Sequence, residues 1–190
     1  MRDPVWLARR AVYKVRETLR PNDPWLAPKA ISYLDGALRP DWVGFEWGSG
    51  RSTTWFAGRL SSLISIEHDP GWHAHVERST AGLLNVEVRL IPLDHPPAET
   101  GEPRYDSLPG YVAAVDDVPD GSLDVVLVDG AYRQPCVAAA LPKLRTGGLL
   151  IIDNTDWLPI AEWGVPESWP IRHQSHNVIT QTTVWASVGV

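Results

Sequence analysis

From Trp42 onward the chain alternates short apolar runs with longer helix-forming stretches, and this alternation restricts the fold more than any other feature of the sequence. The runs are Trp42–Glu46, Leu63–Glu67, Val86–Ile91, Leu123–Asp129 and Leu149–Asp153. The last two, LDVVLVD and GLLIID, are apolar on both alternating faces, so neither face of the strand can be left to water. Strands of that kind belong to a parallel sheet covered on both sides. The segments joining the first three runs, and the fourth to the fifth, are long enough for crossover helices. The pattern predicts an α/β, Rossmann-like doubly wound sheet, mostly parallel, with helices on both faces. The tail from Ile171 to Val190, rich in Thr and Val, leaves no room for another long helix and predicts an antiparallel C-terminal strand or pair.

A chain of 190 residues, 44% hydrophobic, fits one domain. It divides into an N-terminal helical extension (1–40), a core (41–157) and a C-terminal loop and strand region (158–190). Val5, Ala8, Val12, Val15 and Leu19 recur at three- and four-residue steps, which predicts an amphipathic helix ended by Pro21 and Pro24. A second helix is predicted over Pro28–Leu38. Residues 1 to 20 carry Arg2, Arg9, Arg10, Lys14, Arg16 and Arg20 against Asp3 and Glu17, while the whole chain is at −6. Such a basic helix suits either an anionic surface or docking on its own domain or on a second copy in a homodimer. The overall negative charge argues against a nucleic-acid partner, because that affinity comes from neutralising phosphates. No apolar run is long enough for a transmembrane segment. The single cysteine, Cys136, cannot form an internal disulfide, and a cytoplasmic setting is expected. Two long connections, Pro92–Pro109 and Trp157–Pro170, are of a length that is usually functional; the second carries Trp157, Trp163 and Trp169, suited to substrate contact or to a satellite core.

The first run ends in Glu46, Trp47, Gly48, Ser49, Gly50, Arg51, Ser52 and Thr53, a strand, glycine-rich turn and helix junction of the kind that brings backbone amides to a ligand. A dinucleotide fingerprint would need glycine where Thr53 stands. Glu46, beside the turn, suits a cationic amino group better than a pyrophosphate. Glu67 closes the second run at the place from which a carboxylate can accept both hydroxyls of a ribose. His68 beside it could pack on an adenine, and Asp94 could receive the adenine amine. Asp129, Asp153 and Asn154 end the fourth and fifth runs. If those strands are neighbours, the three oxygen donors converge on a site suited to Mg²⁺ or a similar hard cation; turn and capping chemistry accounts for the same residue types.

The ordered runs VGFEWGSGRST, SLISIEHD, LDVVLVDG and LRTGGLLIIDNTDW resemble the successive motifs of class I S-adenosylmethionine-dependent methyltransferases, over roughly Trp42 to Trp157. The resemblance implies that Glu46, Gly48 and Gly50, with Ser49, Ser52 and Thr53 beside them, hold the methionine part of S-adenosylmethionine, and that Glu67 takes its ribose. Asp129, Asp153 and Asn154 are similar to the metal ligands of cation-dependent O-methyltransferases such as catechol O-methyltransferase. Those enzymes commonly place lysine three residues after the first metal aspartate; here Tyr132 stands there, followed by Arg133. Arginine stays protonated and can orient an anionic substrate or pair with Asp129, but it is a poor general base. The segment VDGAYRQPCVAAALPKL also resembles small bacterial methyltransferases with a D-G-x-x-R motif.

The expected activity is transfer of a methyl group to a small hydroxylated molecule, with Asp129, Arg133 and His176 as the catalytic candidates. Without a metal, His173, His176 or His95 would supply the base. His73 and His75 lie two apart on a predicted helix and face different ways. A nicotinamide-dependent oxidoreductase and a non-catalytic binding module recruited through the basic helix are the alternative classes.

Overall fold

The computed structural model describes residues 15, 18–177 and 179–188. Most of the amphipathic helix expected over Val5–Leu19 lies outside the described residues. The strands are β1 (Val43–Trp47), β2 (Ser62–Glu67), β3 (Val86–Leu90), β4 (Leu123–Val128), β5 (Leu144–Ile152), β6 (Ile171–His176) and β7 (Gln181–Ala186). The helices are α1 (Pro28–Ala37), α2 (Arg51–Ala57), α3 (Pro70–Thr80), α4 (Gly110–Ala113) and α5 (Arg133–Ala140). Proline opens α1 and α3, where its missing N–H costs nothing, and Asp69 caps α3 by accepting from the Trp72 amide at 2.6 Å.

All seven strands form one sheet in the order β3-β2-β1-β4-β5-β7-β6. The first five pair in parallel, and β7 runs antiparallel between β5 and β6. Chain order reverses between β1 and β4, which leaves a crevice beyond their carboxyl ends. The two-sided burial expected of β4 and β5 is present. Val126, Val128, Leu150 and Ile152 enter a cluster with α4 and α5, while Val125, Leu127, Leu149 and Ile151 enter another with α1 and α2. Neither strand could exchange faces with solvent, so their register is fixed.

Strand β5 starts at Leu144, five residues before the expected Leu149, because Leu144 pairs with Leu123 ahead of a register shift and Leu149 with Val125 after it. The Gly147–Gly148 pair lies in that bulge, with Gly147 at φ +81°. Of the three spaced tryptophans, Trp163 and Trp169 are buried in the main cluster, whereas Trp157 is 63% exposed. No helix among the described residues is long and apolar enough to cross a membrane.

The outer strands close the sheet with polar side chains. In β3, Glu87 and Arg89 pair at 2.8 Å; β6, which pairs only with β7 among the described residues, reads Ile-Arg-His-Gln-Ser-His.

The two faces of the sheet depend on tight packing at its centre. Leu150→Ala, at 0% exposure, is expected to cost about 2–5 kcal/mol in urea unfolding, whereas Leu84→Ala, fully exposed, should change stability by less than about 0.5 kcal/mol.

Candidate active site

The crevice at the β1/β4 reversal is a cleft of about 800 Å³ walled by Gly48, Ser49, Glu67, His68, Trp72, Asp129, Gly130, Asp153 and Asn154, with Trp25 and Thr180 at its sides. Its floor depends on two glycines. A Cβ on Gly48 would lie 2.8 Å from the Asp129 carbonyl and the Gly130 nitrogen, and Gly48 has φ +95°. A Cβ on Gly130 would meet the Tyr111 hydroxyl at 2.1 Å and the Gly48 nitrogen at 2.9 Å. The two turns therefore touch backbone to backbone, as only glycine allows.

Glu46 does not reach the cleft wall. It is fully buried beneath the turn, where Oε1 accepts from the Thr53 hydroxyl and, at 2.7 Å, from Ser65. Thr53 Oγ1 in turn accepts from the Gly50 amide at 2.9 Å, so the threonine at the third fingerprint position ties the turn to the strand beneath it. Ser52 is buried with them, and Ser49 bonds the Ser65 hydroxyl at 2.6 Å while remaining on the wall. Burial moves the Glu46 carboxyl from 4.5 to about 7 against the pull of Thr53 and Ser65, and Oε2 has no hydrogen-bond partner.

At the end of β2, Glu67 lines the cleft at 3% exposure. Its Oε1 accepts from the amides of His68 at 2.7 Å and Asp69 at 2.8 Å, which fixes the carboxylate. His68 lies on the wall and meets Tyr111 edge-on at 5.9 Å. Asp94 is exposed and off the wall; its Oδ2 accepts from the Gly110 amide at 2.7 Å and anchors the start of α4, so the adenine role expected for it is replaced by a capping one. Trp72, which the motif reading missed, donates its indole N–H to the Ser49 carbonyl at 2.7 Å and stacks on Trp25 at 6.0 Å. Its place three residues after a capping aspartate was the available signal.

Asp129, Asp153 and Asn154 do converge, as expected, but a guanidinium lies between them. Arg133 donates to Asp129 Oδ1 at 2.9 Å, the Asp129 carbonyl at 3.1 Å, the Gly130 carbonyl at 3.1 Å, Asn154 Oδ1 at 2.8 Å and the Asp153 carbonyl. Both carboxylate oxygens of Asp153 turn the other way, accepting from Thr180 at 2.7 Å and from Thr182. The oxygens expected to hold Mg²⁺ are thus engaged by Arg133 and by the Thr180 and Thr182 hydroxyls. No group of three His, Cys, Asp or Glu among the described residues could hold a metal. Thr180 immediately precedes β7 and Thr182 lies within it, and this pair of hydroxyls makes the second claim on Asp153. Arg133 does not serve as an anchor for an anionic substrate either, since all five of its N–H groups are engaged. Burial raises the carboxyls of Asp129 and Asp153, and the Arg133 charge opposes the rise.

Two residues flanking this clamp have left-handed backbones, Tyr132 at φ 50° and Asn154 at φ 58°. For a bulky residue such as Tyr132 this is a strained conformation. Its hydroxyl compensates by accepting from the His95 amide at 3.0 Å and bonding His95 Nδ1 at 3.0 Å.

The histidines expected to supply a base, His95, His173 and His176, are off the cleft wall, unlike His68. His176, for which a catalytic role was expected, ends the outermost strand, two strands beyond β5 and roughly 10 Å from it; it is half exposed, 3.8 Å from Asp156, and off the cleft wall. His173 stacks on Tyr33 at 5.1 Å.

No protein-family model and no curated protein matches the sequence. Solved structures do. An rRNA methylase from Streptococcus thermophilus superposes with a TM-score of 0.63 at 13% identity, over 87% of this chain and 99% of that one. A provisionally assigned methyltransferase from Streptococcus mutans, solved in complex with SAH (S-adenosylhomocysteine), gives 0.62 at 9% identity, over 84% and 97%. The chain has a class I methyltransferase fold. A precorrin 8w decarboxylase from Methanobacterium thermoautotrophicum shares it at 0.56 and 16% identity, over 88% and 95%, so the fold alone does not name a reaction.

The Glu46 carboxyl makes stability depend on pH. Its folded value lies above its unfolded one, so its stabilising protonation is complete below about 4.5 and is lost as pH rises through about 7. Between pH 5 and pH 8, wild type should lose about 2–3 kcal/mol relative to Glu46→Gln, measured by urea unfolding at each pH.

Proposed function

We propose that this protein transfers a methyl group from S-adenosylmethionine to a hydroxyl of a small molecule. The observation that carries the proposal is the Glu67 carboxylate, fixed on the cleft wall at the end of β2 by two backbone amides and facing the turn that Gly48 and Gly130 hold open. That arrangement fits the cofactor. A carboxylate there can accept a pair of ribose hydroxyls, His68 and Trp72 offer flat faces beside it, and the Gly48–Ser49 backbone borders the space for the methionine part. When bound, the cofactor supplies an electrophilic methyl group on a sulfonium.

The chain's own residues would orient the acceptor in line with that methyl group and take its proton. Asp129 is the carboxylate on the wall suited to the second task. Burial raises it out of the usual carboxylate range, toward the value at which a general base is most effective near neutral pH. Trp157, exposed over the Arg133 guanidinium at 4.5 Å, borders a smaller recess of about 170 Å³ that shares Gly130 and Ala131 with the cleft and offers room for an acceptor ring.

The oxidoreductase alternative is disfavoured by Thr53, whose hydroxyl is committed to Glu46 beneath the turn. Structured RNA is a second acceptor class, raised by the rRNA methylase among the similar structures; the net charge of −6 favours the small molecule.

Calorimetry should show S-adenosylhomocysteine binding to chelator-treated wild type, with Glu67→Gln weakened about tenfold to a hundredfold by loss of a charged acceptor. An absence of binding to the wild type would sink the assignment. With an acceptor found from hydroxylated compounds and transfer or ribosomal RNA, kcat should rise with pH through a group above the usual carboxylate range. Asp129→Asn should lose that rise while still binding S-adenosylhomocysteine.

A further inference from the structure

We infer that Arg133 is a built-in cation: its guanidinium stands at the point where the ends of β4 and β5 would otherwise hold a divalent ion, and the cleft is made to work without one. Asp129 Oδ1, Asn154 Oδ1 and the Asp153 carbonyl are oxygens from two adjacent strand ends, the donor type a hard cation selects. All three point at Arg133, with the Asp129 and Gly130 carbonyls completing a set of five acceptors. An arginine side chain has five N–H groups, and each has a partner here. The match leaves neither a free donor on the arginine nor a vacant place among these oxygens for an ion.

Three further features bear on the same point. Arg133 sits at 13% side-chain exposure, so its charge is held inside the protein rather than in water. Tyr132 and Asn154, which flank the guanidinium, both have left-handed backbones, and Tyr132 is pinned by His95. Trp157 lies against the guanidinium at 4.5 Å, a contact that shields it on that side and that a hydrated metal ion would not make in the same way. A cation on a side chain also repels a second cation. The wall carboxylates Asp129 and Asp153 therefore do not make this a metal site while Arg133 is present.

The arginine is a positioning residue. It holds Asp129 and Asn154 in place and couples the two strand ends that floor the cleft. Nothing in this role requires methyl transfer, so the inference and the reading of the cleft as a methyltransferase site can fail separately.

Mn²⁺ binding, followed by the loss of its free electron paramagnetic resonance signal, tests the idea without reference to activity. Chelator-treated wild type should leave added Mn²⁺ free. Arg133→Ala and Arg133→Gln, which vacate the centre and remove the positive charge, should each bind about one equivalent, and an added Asn154→Ala should weaken that binding about tenfold or more. Arg133→Lys keeps a positive charge there and should remain blind to Mn²⁺. A merely structural arginine would not produce this pattern. Circular dichroism melts identify folded variants; if neither neutral variant folds, the wild-type titration decides alone. Stoichiometric Mn²⁺ on the wild type that Asn154→Ala abolishes, or folded neutral variants that bind no more Mn²⁺ than wild type, would overturn the inference.

Discussion

The contact between Gly48 and Gly130 is the constraint on which the rest of the site depends. Parallel strands β1 and β4 are neighbours whose chains leave the sheet at the same edge, and their turns must pass each other without side chains. Adding one methyl group to either glycine would place it within 3 Å of the other turn or of the tyrosine beneath. The close approach brings Asp129, at the end of β4, beside Ser49, at the start of the glycine turn, so that a carboxylate and a set of backbone groups share one wall. Burial of β4 on both faces keeps the strand from shifting along its neighbours, and the turn contact inherits that rigidity.

Electrostatics does the second part of the work. Glu46, Glu67, Asp129 and Asp153 lie in or under the cleft, and three kinds of partner satisfy them. Hydroxyls serve Glu46 and Asp153, backbone amides serve Glu67, and a guanidinium serves Asp129. Dividing the partners in this way avoids concentrating four negative charges against one counter-charge. Burial raises Glu46, Asp129 and Asp153 in spite of these partners, which oppose the rise without cancelling it.

Much of the fold was legible in the sequence because two-sided apolar strands admit few architectures. LDVVLVD and GLLIID required a covered parallel sheet, which is present; the Thr-rich tail left open an antiparallel pair or a single strand with a loop, and the fold has the pair. The early start of β5 was hidden because Gly147 and Gly148 interrupt the apolar run, and a bulge with glycine in it looks like a turn. The site was legible at the level of which strand ends converge. Direction was not: Glu46 and Asp153 lie at strand ends named in advance, yet their carboxylate oxygens are taken up by hydroxyls distant in sequence, Ser65 on β2 and Thr182 on β7, whose adjacency only the folded sheet reveals. Arg133 was read as a departure from a lysine pattern, and its five partners, spread over Asp129 to Asn154, could not be counted from spacing.

The polar outer strands have a consequence for the life of the chain before it is fully folded. A sheet with open ends offers unpaired backbone to any other strand it meets, and the apolar centre of this one would be a strong template for stacking with copies of itself. Charged and imidazole side chains at both ends, Glu87 and Arg89 on one side and Arg172, His173 and His176 on the other, make an approaching strand strip water from ionic groups before it can pair. The hydrophobic strands at the centre are thus guarded by their neighbours, and a variant that replaced Arg89 and Arg172 with valine would trade solubility for no gain in the core.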